Sequence, residues 1–398
     1  MGFRITTNMV MNTYRYNLQN STKRLSDARE MVMTQRKFSS YGEDPAAATL
    51  SFRLRRDYLK TTSYLANTKD VYSKFNTAWH NLNGVVNDLC ENAKQASIRG
   101  VTGTAGESRQ ALAVDLRGIA ESVVQAMNQK LGDHFIFGGN DALNPPFSWS
   151  EDGKLLYRGV NVNAGEVERP EGEAPDWLIE DNGKIDFEAS TPPADADSDW
   201  LAYYNDQADL DKLQKMSGEE MYVDLGMGAA ETAPNSPIKG TYFNSALCGV
   251  DFLGFGIDED GDPKNLALIM RELADVFDLW DEDAQGYNPT LAEEGSVNER
   301  LTPEKLAEKA TRLMDKLKAA QEHITERWVD LDASSTYLQS NQGLLETQQT
   351  DLNIQILDVE QVDMAEAITV FTWEYTCYNA ALKIGSQLVS QSLIDYMS

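Results

Sequence analysis

The chain has few of the residues that most enzymes and metalloproteins use. Its 398 residues include only three histidines and three cysteines. The cysteines, Cys90, Cys248 and Cys377, are far apart and form no CxxC pair, so the sequence predicts neither a disulfide framework nor a thiolate zinc site. The histidines show no metal-ligand spacing such as HExxH. We therefore expect no enzymatic activity, no cofactor and no bound metal.

Long apolar runs and an excess of positive charge are also absent. No apolar stretch of about 18 residues occurs, and the N-terminal sequence MGFRITTNMV lacks the apolar core of a signal peptide, which disfavours membrane spanning and Sec-type export. Acidic residues outnumber basic ones 63 to 35, giving a formal charge of −28. Because this charge repels phosphate backbones and anionic lipids, we expect neither nucleic acid nor a membrane as a partner.

The acidity is concentrated in the middle of the chain. Residues 141–300 carry 36 acidic and 10 basic side chains, whereas residues 1–140 carry 12 and 18. An Asp-Gly pair at 152–153 and an Asn-Gly pair at 182–183 each lie between short apolar runs, which is typical of β-hairpins. One helical pattern interrupts the segment near 265–280. We predict an acidic, β-rich outer domain with that one helix.

The two ends of the chain carry helical patterns. Between about residues 45 and 96, apolar side chains recur at alternating steps of three and four, which predicts a seam for a partner helix. Another helix, near 107–131, follows a run of glycines and should fold back on the 45–96 helix as a hairpin. The heptad pattern returns from about 302 to 354. A last helix, over 363–393, is apolar on two faces and therefore expects neighbours on both sides.

These patterns predict an α+β fold. Helices at both ends must bury their seams, and the simplest solution is a long antiparallel helical bundle or coiled coil built from both termini, with an inserted β-rich domain. Residues 1–44 and 355–398 would be terminal assembly helices, mobile in the monomer. Residues 45–140 and 301–354 would form the bundle, and 141–300 the outer domain.

The acidic segment Asp258–Asp262 is the part of the chain most similar to a calcium loop. An EF-hand requires a glycine at its sixth position and a bidentate carboxylate at its twelfth. Counting from Asp258, the glycine is fourth and Ile269 is twelfth. The pattern therefore favours a solvated acidic turn before a helix, with adventitious binding of a divalent cation as the alternative.

Four short motifs occur in order across both ends of the chain. They are Phe3 to Met9; Leu25 to the Gly-Glu-Asp-Pro ending at Pro45; Gly132 to Gly139 with the following Pro145-Pro146-Phe147; and Gly385 to Tyr396. Together they resemble the flagellin-like axial proteins of bacterial flagella, and within that family the hook–filament junction group (hook-associated protein 3). The Asp-Pro pair favours the junction group over flagellins. Residues 36–41 and 326–340 depart from the family pattern.

The resemblance implies a structural subunit, not an enzyme, at the junction between hook and filament. It implies an extracellular, flagellar location after export through the flagellar secretion system without a cleavable signal. The implied partners are hook-associated protein 1 on the hook side, flagellin on the filament side, further copies of the chain in a ring, and an export chaperone. A filament flagellin, a cytoplasmic coiled-coil scaffold and an acidic-domain hydrolase are the alternatives.

The expected site residues are packing residues. Asp44 and Pro45 would set the entry to the long helix. The residues expected to form the axial assembly interface are Leu18, Leu25, Ile368, Phe371, Leu382, Leu388 and Leu393. For each of these seven, simple packing within the chain's own core is the alternative.

The first 40 residues give a testable prediction about the monomer. Residues 5–36 offer four seam side chains, Met11, Leu18, Leu25 and Val32, whose burial contributes on the order of 6–12 kcal/mol. Ordering a backbone residue costs about 1–2 kcal/mol, so the segment is marginal alone and should order fully when a partner covers it. Peptide-resolved hydrogen exchange on the monomer should be fast over 1–40 and 365–398. Strong protection there would contradict the prediction.

Overall fold

The computed structural model describes residues 7–102, 109–150, 153–181, 184–187, 189–193, 196–228, 231–233, 236–238, 240–280 and 303–397. The helices are α1 Thr7–Thr34, α2 Pro45–Gly84, α3 Cys90–Thr102, α4 Arg109–Met127, α5 Ser198–Ser217, α6 Gly249–Leu253, α7 Leu266–Leu279, α8 Pro303–Glu360 and α9 Met364–Met397. A π-helical segment, Val85–Leu89, joins α2 to α3 without interruption. The long helices at both chain ends therefore form as predicted.

The strands are short and lie between α4 and α6. They are β1 Lys130–Leu131, β2 His134–Phe135, β3 Phe147–Trp149, β4 Leu155–Tyr157, β5 Val160–Asn161, β6 Glu180–Asp181, β7 Lys184–Ile185, β8 Tyr222–Val223, β9 Glu231–Ala233, β10 Ser236–Pro237 and β11 Phe243–Asn244. All pairings are antiparallel, and β3-β4-β5 form the one three-stranded sheet among the described strands. Long packed helices with small antiparallel sheets confirm the predicted α+β class.

Helix α5 is a difference from the sequence analysis, which predicted one helix in this part of the chain. Asp197 caps α5, because its side chain accepts hydrogen bonds from the backbone N–H groups of Asp199 and Trp200. Only two of its side chains, Trp200 and Leu213, are buried. A helix with so few buried positions has no apolar periodicity, which is why the pattern did not indicate it.

The chain divides into two compact units, one of which combines residues from both ends of the sequence. Unit 1 comprises Met1–Leu65 with Gly343–Ser398, and unit 2 comprises Ala66–Gln342. Helices α2 and α8 contribute residues to both. The predicted domain ranges placed their boundaries elsewhere, near 44 and 354, and stay predictions.

Unit 2 has its core where α3, α4 and α7 meet. Helix α4 packs along α7, and α3 contacts both. The buried heptad positions of α8 in this unit are Leu306, Leu313, Leu317, Ile324, Leu331 and Leu338. The Trp79 and Trp328 rings stack with centroids 5.4 Å apart, and the Trp328 indole N–H donates to the Trp79 carbonyl at 3.1 Å. The heptad seam is therefore buried, as its spacing predicts.

Unit 1 contains α1, α9 and the adjoining parts of α2 and α8. Its buried apolar side chains are Ala28, Ala48, Leu54, Leu65, Leu345, Ile356 and Ala367. Three of these seven residues are alanine, and unit 1 buries fewer apolar side chains than unit 2. Its core is therefore smaller. In the described part of the chain, no helix is both long enough and apolar enough to cross a bilayer.

Two glycines in the helices of unit 2 offer a matched test of this packing. A Cβ at Gly100 would lie 2.2 Å from Cζ of the buried Phe277, so Gly100→Ala forces that ring to move. The substitution should therefore lower the free energy of unfolding by about 1–3 kcal/mol. Gly118 is also helical but has no atom within 4 Å of its Cβ position, so Gly118→Ala should stabilise by about 0.5–1 kcal/mol. Urea unfolding of the purified chain should show opposite signs, and shifts in the same direction would contradict this account.

Candidate assembly interface

Helices α1 and α9 pack against each other in unit 1 through residues spaced three and four apart. The α1 positions that are at least half-buried include Met11, Tyr14, Leu18, Ser21, Leu25 and Ala28; those of α9 include Ala367, Phe371, Tyr378, Ala381 and Gly385. The Tyr14 hydroxyl donates to the Ala381 carbonyl at 3.1 Å. A Cβ on Gly385 would lie 2.3 Å from Cζ of Tyr14, so glycine is needed for this close approach.

Helix α9 remains apolar on both sides of this seam. One flank carries Ile368, Tyr375 and Leu382 at heptad spacing, with exposures of 51%, 52% and 42%. The other flank exposes large apolar side chains too, including Trp373, which is 68% exposed, and Ile384. Contiguous exposed apolar surface of this kind marks an interaction site. Among the described elements the helix packs most extensively against α1, and it exposes apolar side chains on both flanks.

The seven predicted interface residues fall into three groups. Leu18, Leu25 and Phe371 are half-buried positions of the α1–α9 seam. Ile368 and Leu382 lie on the first exposed flank. The list is completed by Leu388 and Leu393, which belong to α9 but whose side chains lie outside the described part of the chain. The assembly role of all seven stays a prediction.

The segments that join the terminal helices to α2 and α8 are hydrogen-bonded to each other. The Val362 N–H donates to the Gln35 carbonyl at 3.1 Å, and the Lys37 N–H donates to the Glu360 carbonyl at 2.7 Å. Gln35 has a positive φ of 58° and so reverses the chain directly after α1. The two connections therefore form one joint between the terminal helix pair and the rest of unit 1.

The end of this joint leads into α2 through the predicted turn. The Asp44 side chain accepts hydrogen bonds from the N–H groups of Ala46, at 3.1 Å, and Ala47, at 2.9 Å, and Pro45 is the first residue of α2. Asp is a preferred N-cap residue, and proline suits the first helical position. The structure thus places both residues at the start of the long helix.

An ion pair at the joint, between the half-exposed Arg55 and the largely covered Glu360, was not indicated by the sequence. The Arg55 guanidinium donates to both Glu360 carboxylate oxygens, at 2.6 and 2.5 Å, and the Ser51 hydroxyl also donates to Glu360. The hydrogen bonds from Arg55 lower the pKa of Glu360 to about 2. The partners lie about 300 positions apart in sequence, so no local motif could reveal them. The pair links α2 to the C-terminal end of α8.

The calcium-like turn of unit 2 binds a cation supplied by the chain itself. The carboxylates of Asp258, Asp260 and Asp262 lie within 4.8 Å of one another. The Lys316 ammonium of α8 contacts all three, at 2.6, 2.9 and 2.5 Å. Arg312 adds two hydrogen bonds to Asp262, whose side chain is only 2% exposed. The segment is a turn before a helix, as expected, and Asp260 is 56% exposed, but Asp262 is buried and paired, so the turn is not simply solvated.

The electrostatics of this turn agree with its geometry. Burial alone would lower the pKa of Lys316, but hydrogen bonds to the three aspartates outweigh it and raise that pKa. Burial would likewise raise the pKa of Asp262, but the hydrogen bonds from Arg312 and Lys316 hold it below its ordinary value. The turn therefore fixes α8 against the segment that precedes α7, with Lys316 at the position a divalent ion would take.

Comparison with known proteins points to the same helices. The profile of the bacterial flagellin C-terminal helical region matches residues 314–397, which confirms the predicted resemblance over that range. It covers most of α8 and all of α9, the helix with the exposed apolar flanks. A sequence search of curated proteins found no significant match.

Solved structures with partial similarity have flagellar names. A protein assigned as a flagellar hook-associated protein from Vibrio parahaemolyticus is 13% identical, with 80% of this chain and 100% of that one covered, at a TM-score of 0.48. FlgL from Bacillus cereus is 13% identical, with 77% and 99% covered, at 0.39. Hook-associated protein 3 from Legionella pneumophila is 11% identical, with 77% and 98% covered, at 0.42. At these values the neighbours establish neither a shared fold nor a shared function.

The ion pair at the joint gives a pH-dependent prediction. Glu360→Gln removes the charge that Arg55 binds, and it should destabilise unit 1 by about 1–2 kcal/mol at pH 7, a figure reduced because Arg55 is half-exposed. The pKa of Glu360 is lowered from 4.5 to about 2, so the stabilisation is complete above about pH 4.5 and is lost as the pH falls towards 2. Wild type and variant should therefore converge in acid.

Hydrogen exchange of peptides covering residues 45–65 of α2 and 343–360 of α8, measured at pH 7 and near pH 3, tests this. Glu30→Gln is the matched control, because Glu30 is exposed on α1 and forms no ion pair with any described residue. The control should match wild type at both pH values. An equal difference between Glu360→Gln and wild type at both pH values would contradict the assigned role of the charge.

Proposed function

We propose that the chain is a structural subunit of the bacterial flagellum that forms the junction between hook and filament. The observation that carries this proposal is the coincidence of two features in one helix. Helix α9 lies within the flagellin-type C-terminal region, and it exposes apolar side chains on both flanks of its seam with α1. The role is mechanical and needs no catalytic group.

The exposed flanks supply the free energy of assembly. Fully burying an apolar side chain the size of Ile368 or Leu382 contributes about 1.5–3 kcal/mol, and each copy offers several such side chains. Because α1 already covers one side of α9, neighbouring helices must approach the other two sides. Terminal helices that pack side by side in this way build a continuous inner layer, which is what an axial structure requires.

The junction role, as opposed to the filament itself, rests on the sequence motif at the start of α2. The Asp44-Pro45 pair resembles the motif found at this place in the junction group. The partners in that group are hook-associated protein 1 on one side and flagellin on the other. Further copies of the chain would complete a ring, and an export chaperone would cover the terminal helices before secretion. The mature protein would then be extracellular, in the flagellum.

A filament flagellin is the second candidate, because the matched C-terminal region is named for flagellin. The two candidates differ in where the chain lies along the flagellum. A cytoplasmic scaffold would lie in neither place.

Immunogold labelling of purified hook–filament structures with antibody to this chain distinguishes these roles. We expect a single band of gold at the hook–filament boundary, and no gold on structures from a strain lacking the gene. Label along the whole filament would assign a flagellin. Absence of label would contradict a flagellar role altogether.

A further inference from the structure

A second pair of exposed faces occurs in unit 1, away from the terminal helices. On α2, five exposed side chains share one side of the helix at spacings of one, three and four: Phe52, Arg53, Arg56, Leu59 and Lys60. Phe52 and Leu59 are each 65% exposed. We call this the basic face. It combines two apolar side chains, Phe52 and Leu59, which we call its apolar centre, with three cations.

The matching feature lies on α8. Leu344, Thr347, Asp351, Ile354 and Asp358 are all exposed and follow the three-four spacing of a helix seam. Leu344 is 65% exposed and Ile354 is 51% exposed. We call this the acidic face. Its apolar centre consists of two side chains, Leu344 and Ile354. It carries two carboxylates where the basic face carries cations.

The side-chain charges on the two faces form few ion pairs with described residues, although the Lys37 ammonium donates to the backbone carbonyl of Asp358 at 2.7 Å. Among described residues, Arg53, Lys60, Asp351 and Asp358 form no ion pair, and Arg56 contacts only its neighbour Asp57, at 3.4 Å. The same charge division extends through unit 1. Residues 1–65 carry 11 basic and five acidic side chains, and residues 343–398 carry one basic and eight acidic.

Neither face can be covered by the other within one copy. Helices α2 and α8 already bury different sides of themselves in unit 1, as Leu54, Leu345 and Ile356 show. The basic and acidic faces point away from those buried positions, because they lie at other angles around each helix. No described residue of the chain covers them, so a second copy can approach both faces.

We propose that the basic face of one copy binds the acidic face of a second copy. This inference rests on the proposed assembly into a ring, and it adds a lateral contact distinct from the terminal helices. Opposite charges around matching apolar centres favour this pairing, whereas two basic faces or two acidic faces would place like charges together. The contact is heterologous, so a bound pair leaves the acidic face of one copy and the basic face of the other free, and the assembly closes into a ring or continues as a helix.

Thiol cross-linking between two differently tagged copies tests the contact. One copy carries Leu59→Cys and the other Ile354→Cys, each in full-length chain with Cys377→Ser, because Cys377 is half-buried whereas the other native thiols are buried. With a short flexible bismaleimide at high protein concentration, we expect the mixed 59–354 dimer. The 59–59 and 354–354 dimers should be at least about tenfold less abundant.

Charge reversal then tests the electrostatic part. In the Leu59→Cys copy, Arg53→Glu with Lys60→Glu should cut the mixed dimer about tenfold, and Asp351→Lys with Asp358→Lys in the other copy should restore it. Lys318→Glu is the matched control, because Lys318 is an exposed cation elsewhere, on the unit 2 part of α8, and should leave the yield unchanged. Circular dichroism of each variant verifies that it is folded.

Absence of the 59–354 dimer, or equal yields of all three dimers, would overturn the contact. This outcome is separate from the proposed function. Gold at the hook–filament boundary without the mixed dimer would leave the junction role and remove the lateral contact. The mixed dimer without gold at that boundary would keep the contact and remove the junction role.

Discussion

The seam between helices from opposite ends of the chain is the interaction on which the rest of the structure depends. Unit 1 joins residues 1–65 to residues 343–398, so in that unit neither end of the chain buries its apolar stripe without the other. A helix in a two-helix seam covers only one of its sides. For α9 that leaves two apolar flanks in water, and for α2 and α8 in unit 1 it leaves one outer face each. The exposed surfaces follow from how few partners each helix has.

The sequence predicted the helices well because their signal is local and repeated. Heptad spacing placed α8 and α9 within a few residues of their observed ends, whereas the predicted turn at Gly103 and Gly106 lies outside the described residues. The middle of the chain was harder. Asp-Gly and Asn-Gly pairs mark turns but do not set strand length, and most of the strands have only two residues. Helix α5 was missed because it buries too few side chains to show a period.

The candidate interface divides in the same way. The two apolar faces of α9 could be predicted from spacing alone, since an i, i+3, i+4 pattern is a property of one helix. The contacts of Glu360 with Arg55, and of Lys316 with the turn at Asp258, join residues far apart in sequence. The chain has 63 acidic residues, and the local sequence around a carboxylate does not predict which basic side chain it contacts. Only the fold brings these charges together.

In the proposed assembly the exposed apolar faces must avoid unspecific contacts until the copies join, and the charges around these faces contribute to this. Around Phe52 and Leu59 the neighbours are cations, and around Ile354 they are carboxylates. When two basic faces or two acidic faces meet, like charges oppose the contact, which disfavours unspecific aggregation. The one approach that aligns opposite charges also buries both apolar centres. Charge thus selects the partner and orientation, while the apolar side chains stabilise the contact once it forms.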